Sequence, residues 1–162
     1  MNKYENAMNR IGFYYIRGEE GCATTSEAVL NLEQAIGFPL PEDYKIFLMK
    51  YGLTAGRGLV RFGNLDDPTQ PESTIGVFYG IRAGDSYDIL STKQGFDDDL
   101  PAEMLPIASS PGGQIVLCLA GENVGKVYWW PPHGGGNSAY EDLELIAYDV
   151  DRFVDSLRTC AE

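Results

Sequence analysis

The sequence predicts an α+β domain with a curved, largely antiparallel β-sheet flanked by helices. Three features lead there. Before Gly56 apolar residues recur at helical spacing; from Gly56 onward they alternate as in strands; near the C-terminus the helical pattern returns. Regular βαβ alternation, which would build a parallel sheet, is missing.

The elements follow in chain order. Tyr4, Ala7, Met8, Ile11 and Tyr15 recur near helical spacing, while Ile11, Phe13 and Tyr15 also alternate. The segment is read as a short helix ended by a turn at Gly18–Gly21. Thr24 and Glu27 have capping-box spacing, in which each side chain satisfies the other's orphan backbone N–H. Behind them Ala28, Val29, Leu32, Ala35 and Ile36 share one helical face, closed by Gly37. Pro41 suits a first helical turn, and Glu42 and Asp43 complement the positive end of the helix dipole. Tyr44, Phe47, Leu48 and Tyr51 then form an i, i+3, i+4, i+7 stripe that Gly52 stops.

Four runs rich in β-branched and aromatic residues read as strands: Leu59–Phe62, Thr74–Tyr79, Ile115–Leu119 and Val127–Trp130. Residues 64–73 form a polar loop with two prolines, and Gly121–Gly125 a hairpin loop. Asp85–Gln94 reads as a helix burying Tyr87, Leu90 and Ile89, and Pro131–Asn137 as a flexible loop. Leu143–Ala147 is a last short strand. Asp149 then caps a terminal helix with Val150, Phe153, Val154 and Leu157 on its apolar face and Arg158 in its last turn.

At 162 residues the chain suits one domain, and roughly 68–70% of its unfolded surface is buried on folding. Hydrophobic residues make up 44% and aromatics 12%, which excludes intrinsic disorder. Cys22, Cys118 and Cys160 cannot all pair and form no C-x-x-C, so reduced thiols in a cytoplasmic protein are expected. The N-terminus lacks a signal-peptide run, and no stretch approaches the ~20 apolar residues of a membrane span.

The formal net charge is −12. Such a surface repels phosphate and anionic lipid, so neither nucleic acid nor membrane is an expected partner, whereas a basic protein is attracted. The charge is uneven: residues 1–96 carry net −3 and residues 97–162 net −9. Clusters lie at Asp97, Asp98, Asp99 and Glu103, then at Glu141, Asp142, Glu144, Asp149, Asp151 and Asp155. They read either as a solvated face or as a docking surface for a basic partner.

Catalytic motifs are scarce. His133 is the single histidine, and it neighbours Gly134, Gly135 and Gly136, the setting of an exposed loop residue. Zinc motifs and G-x-S-x-G are absent. The run Gly121–Val127 is one residue short of a phosphate loop, lacks its hydroxyl, and enters a strand where a helix is required. The Asp97–Asp99 run could supply a glycosidase pair only with a cleft setting two carboxylates about 5–9.5 Å apart. Tyr128, Trp129 and Trp130 alternate faces, so at least one enters the core, and an outward one could anchor a partner. No cofactor or metal is expected.

The string Ile36-Gly37-Phe38-Pro39-Leu40-Pro41-Glu42-Asp43-Tyr44-Lys45-Ile46-Phe47-Leu48 resembles the signature of the SUKH superfamily. This is the domain type of the fungal cell-wall-synthesis regulator and of many bacterial immunity proteins. Val77–Ile81 is similar to its central aromatic strand. Leu105–Ala108 followed by Pro111–Leu119 is similar to its glycine-turn hairpin, Gly125–Trp130 to the next strand, and Ala147–Leu157 to its closing helix. On this resemblance residues 23–160 form one SUKH-like domain and residues 1–22 an N-terminal extension.

The resemblance implies a non-enzymatic protein-binding domain. In bacterial members the partner is a cognate toxin, often a nuclease or deaminase; the alternative is a regulatory or scaffold domain binding an endogenous protein. The expected contacts are Asp97, Asp98, Asp99, Glu122, Glu141, Asp142 and Glu144, with Tyr128 and Trp130 as apolar anchors. A monomer is expected, or a weak homodimer through an open sheet edge.

Overall fold

The first residues adopt both patterns that their spacing suggests. In a computed structural model, which describes residues 2–21, 24–63, 65, 73–131 and 142–159, helix α1 spans Glu5–Arg10 and strand β1 spans Phe13–Tyr15. The glycine turn is itself a single helical turn, α2, Gly18–Gly21. Tyr4, Ala7, Met8 and Ile11 are buried in the main core.

Helix α3, Ser26–Ile36, is capped one residue later than the sequence suggests. Thr25 has extended backbone geometry, and its Oγ1 accepts a hydrogen bond from Ala28 N. Glu27 therefore sits one place too early to complete a capping box. Gly37 ends the helix in the left-handed conformation. Helix α4, Glu42–Tyr51, buries the whole expected stripe of Tyr44, Phe47, Leu48 and Tyr51. The corner between the two helices is tied by Glu33, whose carboxylate accepts from Leu40 N at 2.6 Å and lies 3.4 Å from Lys45 Nζ.

Strand β2, Thr54–Phe62, begins earlier than expected because Gly56 and Gly58 sit in a bulge and do not end the strand. Its register on β3, Ser73–Phe78, jumps from Ala55 opposite Val77 to Val60 opposite Ile75. Helix α5, Ile89–Gly95, starts later than expected: the Asp88 carboxylate caps it by accepting from Ser91 N and also accepts from Arg82 N. Strands β4 (Met104–Ser110), β5 (Gly113–Cys118), β6 (Val127–Trp130) and β7 (Glu144–Ala147) complete the series. Asp149 caps helix α6, Val150–Ser156, as expected. Arg158 leaves the helix and enters a two-residue strand β8, Arg158–Thr159, which pairs with Val60 and Arg61. That pairing covers the edge of β2 beyond its bulge, where ladder groups would otherwise be open.

The sheet runs in the order β1 to β7 with β8 beside β2, and its paired strands are antiparallel. Each strand from β1 to β7 thus lies beside its neighbour in sequence. Register shifts in β2, β4 and at the start of β6 bend the strands, as bulges do. Leu65, just past β2, donates its N–H to Leu145 O of β7 at 2.9 Å, so the chain leaving β2 reaches the far edge of the curled sheet. The expected α+β architecture is the one observed.

Alternation along β5 and β6 divides the sheet into two faces. Ile115, Leu117, Val127 and half-buried Trp129 point into the large core, which includes residues of α1, α3, α4, α5 and α6. Val116, Cys118, Tyr128 and Trp130 point the other way, into a small cluster with Phe96, Leu100, Met104 and Leu143. One buried backbone crossing is very tight. A Cβ on Gly80 would lie 2.7 Å from Leu53 Cγ and 2.8 Å from Leu53 N. Leu53 itself has a φ of 60° there and donates its N–H to Phe78 O.

Candidate functional site

Some of the acidic residues singled out in the sequence adjoin that small cluster on the outer sheet face. Asp97, Asp98 and Asp99 occupy a turn after α5, between Phe96 and Leu100, both of which pack into the cluster. Backbone bonds from Asp99 N and Leu100 N to Phe96 O close the turn. Buried Lys93 ties it to β4, donating to Ala102 O at 3.0 Å and Met104 O at 3.1 Å. Burial lowers the Lys93 pKa, opposed by the charges of Asp97 and Glu103.

A cavity of about 320 Å³ opens on the same small cluster, lined by Glu103, Met104, Cys118, the hairpin residues Ala120–Asn123, Tyr128 and Leu143. The hairpin is held by Cys118 N to Lys126 O and Gly125 N to Cys118 O. Gly125 takes a φ of 91°, which L side chains rarely adopt, so the hairpin turn needs glycine there. Glu122 stands exposed on this loop, and Tyr128 is half-buried in the wall. Asp142 is half-buried next to Leu143, which packs into the cluster.

Two expected contacts lie elsewhere. Trp130 is 1% exposed and meets Phe96 edge-to-face, with ring centroids 5.3 Å apart. It fills the outer cluster and offers no surface to a partner. Strand alternation separates Tyr128 and Trp130 from Val127 and Trp129, but Phe96 and Leu100 cover the outer face as well, so β6 has no bare side at Trp130. Glu144 is paired with Trp129, whose side chain packs on the inner core, so it is directed away from the outer-face group. Glu141, His133, Cys22, Cys160 and the Pro132–Asn137 part of the expected loop lie outside the described residues.

The site also contains residues that the sequence reading left out of its contact set. Glu103 was counted among the acids, but only the β4–β5 pairing brings it to the cavity rim. Its carbonyl accepts from Leu119 N at 2.8 Å. Met104, Asn123 and Leu143 had no sequence signal for a surface role. Cys118 Sγ lies 3.2 Å from Ala120 O, and burial, the largest effect, raises its thiol pKa. A thiol so placed is a poor nucleophile. Among the described residues no group of three or more His, Cys, Asp or Glu could hold a metal ion, and no helix is long and apolar enough to cross a membrane. The arrangement offers carboxylates on a rim around an aromatic and sulfur-lined hollow, which suits binding of a cationic surface.

A model of the SMI1 / KNR4 family (SUKH-1) matches residues 23–156. The chain belongs to that family. The match contains every element from α3 to α6, including the outer-face cluster, while α1, β1 and α2 precede it. Those three elements still join the family domain, β1 through the sheet, α1 through the core and α2 through Gly21 O, which accepts from Arg82 Nη1 at 3.1 Å. Among curated proteins, the "SPbeta prophage-derived uncharacterized protein YokK" of Bacillus subtilis (strain 168) is 31% identical over 147 residues, covering 82% of this chain and 74% of that protein.

Proposed function

We propose that this SMI1 / KNR4 family member is a non-enzymatic, cytoplasmic immunity protein that neutralises a cognate nuclease- or deaminase-type toxin. The observation that carries the reading is the acidic lining of the cavity on the outer face, where Glu103 and Glu122 border Tyr128, with the Asp97–Asp99 turn and Asp142 each next in sequence to residues of the same cluster. A toxin acting on nucleic acid carries a basic groove for phosphate, and an acidic surface can occupy that groove in place of the substrate. Complementary fields also speed encounter, from about 10⁵–10⁶ to about 10⁸–10⁹ M⁻¹s⁻¹ at low salt.

The test is capture from lysate with the tagged protein at about 50 and about 500 mM salt, read by mass spectrometry. The reading expects a basic toxin domain recovered at low salt, depleted at high salt, and lost when Asp97, Asp98 and Asp99 are changed to Asn. Recovery only of housekeeping proteins, unaffected by those changes, would overturn it and favour a scaffold or regulatory domain.

A further inference from the structure

The cavity on the outer-face cluster has a chemistry more specific than general attraction between charged surfaces. Its floor contains Met104 and Cys118, both almost fully buried, and Tyr128 and Leu143 form part of its wall. Glu103 and Glu122 stand on its rim. Among the described residues neither carboxylate takes part in a hydrogen bond or ion pair. The two lysines of the adjoining segments are already engaged: Lys126 Nζ with Asn123 Oδ1 at 2.9 Å, and Lys93 Nζ with two backbone carbonyls. Those acceptors are neutral, so both lysines keep their charge and Lys93 interacts with Glu103; the hollow combines two carboxylates outside any ion pair among the described residues, an aromatic wall and an apolar floor.

We infer that this cavity receives one arginine side chain of the basic partner, with the guanidinium between Glu103 and Glu122 and the methylene stem along Met104, Cys118 and Leu143. The inference rests on the partner-binding reading above and names the group that the face recognises. Arginine fits better than lysine for three reasons. Its planar fork engages carboxylates bidentately, it stacks on aromatic rings, and it is less strongly hydrated than an ammonium, so it loses less on entering a half-enclosed site. A neutral side chain would leave both carboxylates facing a desolvated contact without a counter-charge, which is unfavourable. At interfaces arginine is also among the residues that most often carry binding energy from such central hollows.

The test uses the isotopically labelled full chain and a defined probe, so it needs no partner protein. N-acetyl-arginine amide is titrated at about 150 mM salt and followed by backbone amide NMR, with N-acetyl-citrulline amide as the uncharged isostere. The inference expects saturable shifts confined to Gly121–Asn123, Tyr128 and Leu143, with a dissociation constant on the order of millimolar. Citrulline should give little response. Glu103→Gln with Glu122→Gln should weaken the arginine response by at least about threefold, while Glu19→Gln with Glu20→Gln, exposed on α2 and outside the cavity lining, leave it unchanged. The spectrum of each variant reports directly that it is folded. Equal response to citrulline, shifts scattered over the acidic surface, or full binding by the double glutamine variant would overturn the inference. Such a failure leaves the neutralisation reading standing if the lysate capture succeeds. Conversely, a specific arginine response with no toxin captured refutes that reading and not the cavity assignment.

Discussion

Asp85 illustrates how a single carboxylate joins the N-terminal elements to the rest of the domain. Its side chain is 4% exposed and accepts from Arg17 Nε at 2.6 Å, Arg17 Nη2 at 3.1 Å and Tyr87 N at 2.8 Å. Arg17 lies between β1 and α2, before the family match begins, so this pair fastens the preceding segment to the loop before α5. The Arg17 hydrogen bond, then the Tyr87 N–H, hold the Asp85 pKa below its usual 3.8 against the raising effect of burial. Asp85→Asn should therefore cost about 1–2 kcal/mol near neutral pH, measured by urea unfolding. A folded-state pKa that is lowered contributes stability above the unfolded value, and that stability is lost as pH falls through the folded value. The gap between wild type and variant should accordingly shrink as pH is taken from about 6 to below 3.8. A gap independent of pH would refute this account of the pair.

At the scale of elements, the crossing of Gly80 over Leu53 makes a sharp prediction. Gly80→Ala would force a Cβ against Leu53 N, and backbone cannot move aside as a flexible side chain can. Overpacking of this kind costs about 1–3 kcal/mol. Gly95→Ala, at the end of α5 with open space around it, should change stability by less than about 1 kcal/mol. Thermal unfolding of the pair checks the contrast, and equal effects would contradict the crossing. Elements set by local rules were legible in the sequence: the α4 stripe, the Asp149 cap and the bounds of β6. Those set by pairing at a distance were not. The early part of β2 is disguised by the glycines of its bulge. In β4, Pro106 lacks an N–H for the ladder and argues against a central strand; the register shift between Pro106 and Ala108 accommodates it, and only the family resemblance pointed to a hairpin there. For the site, the acids and Tyr128 were legible as composition and pattern. The burial of Trp130 was not, because a strand's alternation separates its two faces without revealing what covers each.

Considered as a whole molecule, this member of the SMI1 / KNR4 family concentrates its negative charge in its second half. The fold brings part of that charge together: the turn after α5, the β5–β6 hairpin and the approach to β7 all border one outer face. Opposite that face, the helices and the large core provide a rigid support. In the proposed function, a basic partner is drawn in rapidly by long-range attraction and then fits locally at the cavity. Attraction between surface charges is screened within about 8 Å at physiological ionic strength, whereas packed contacts are much less sensitive to salt. The most direct measurement is stopped-flow association with the captured toxin domain across a range of salt concentrations. The account predicts an association rate that falls steeply with salt and is reduced in the Asp97→Asn, Asp98→Asn, Asp99→Asn variant at low salt, with a smaller change in dissociation. An association rate independent of salt and unchanged in that variant would contradict capture through the acidic face.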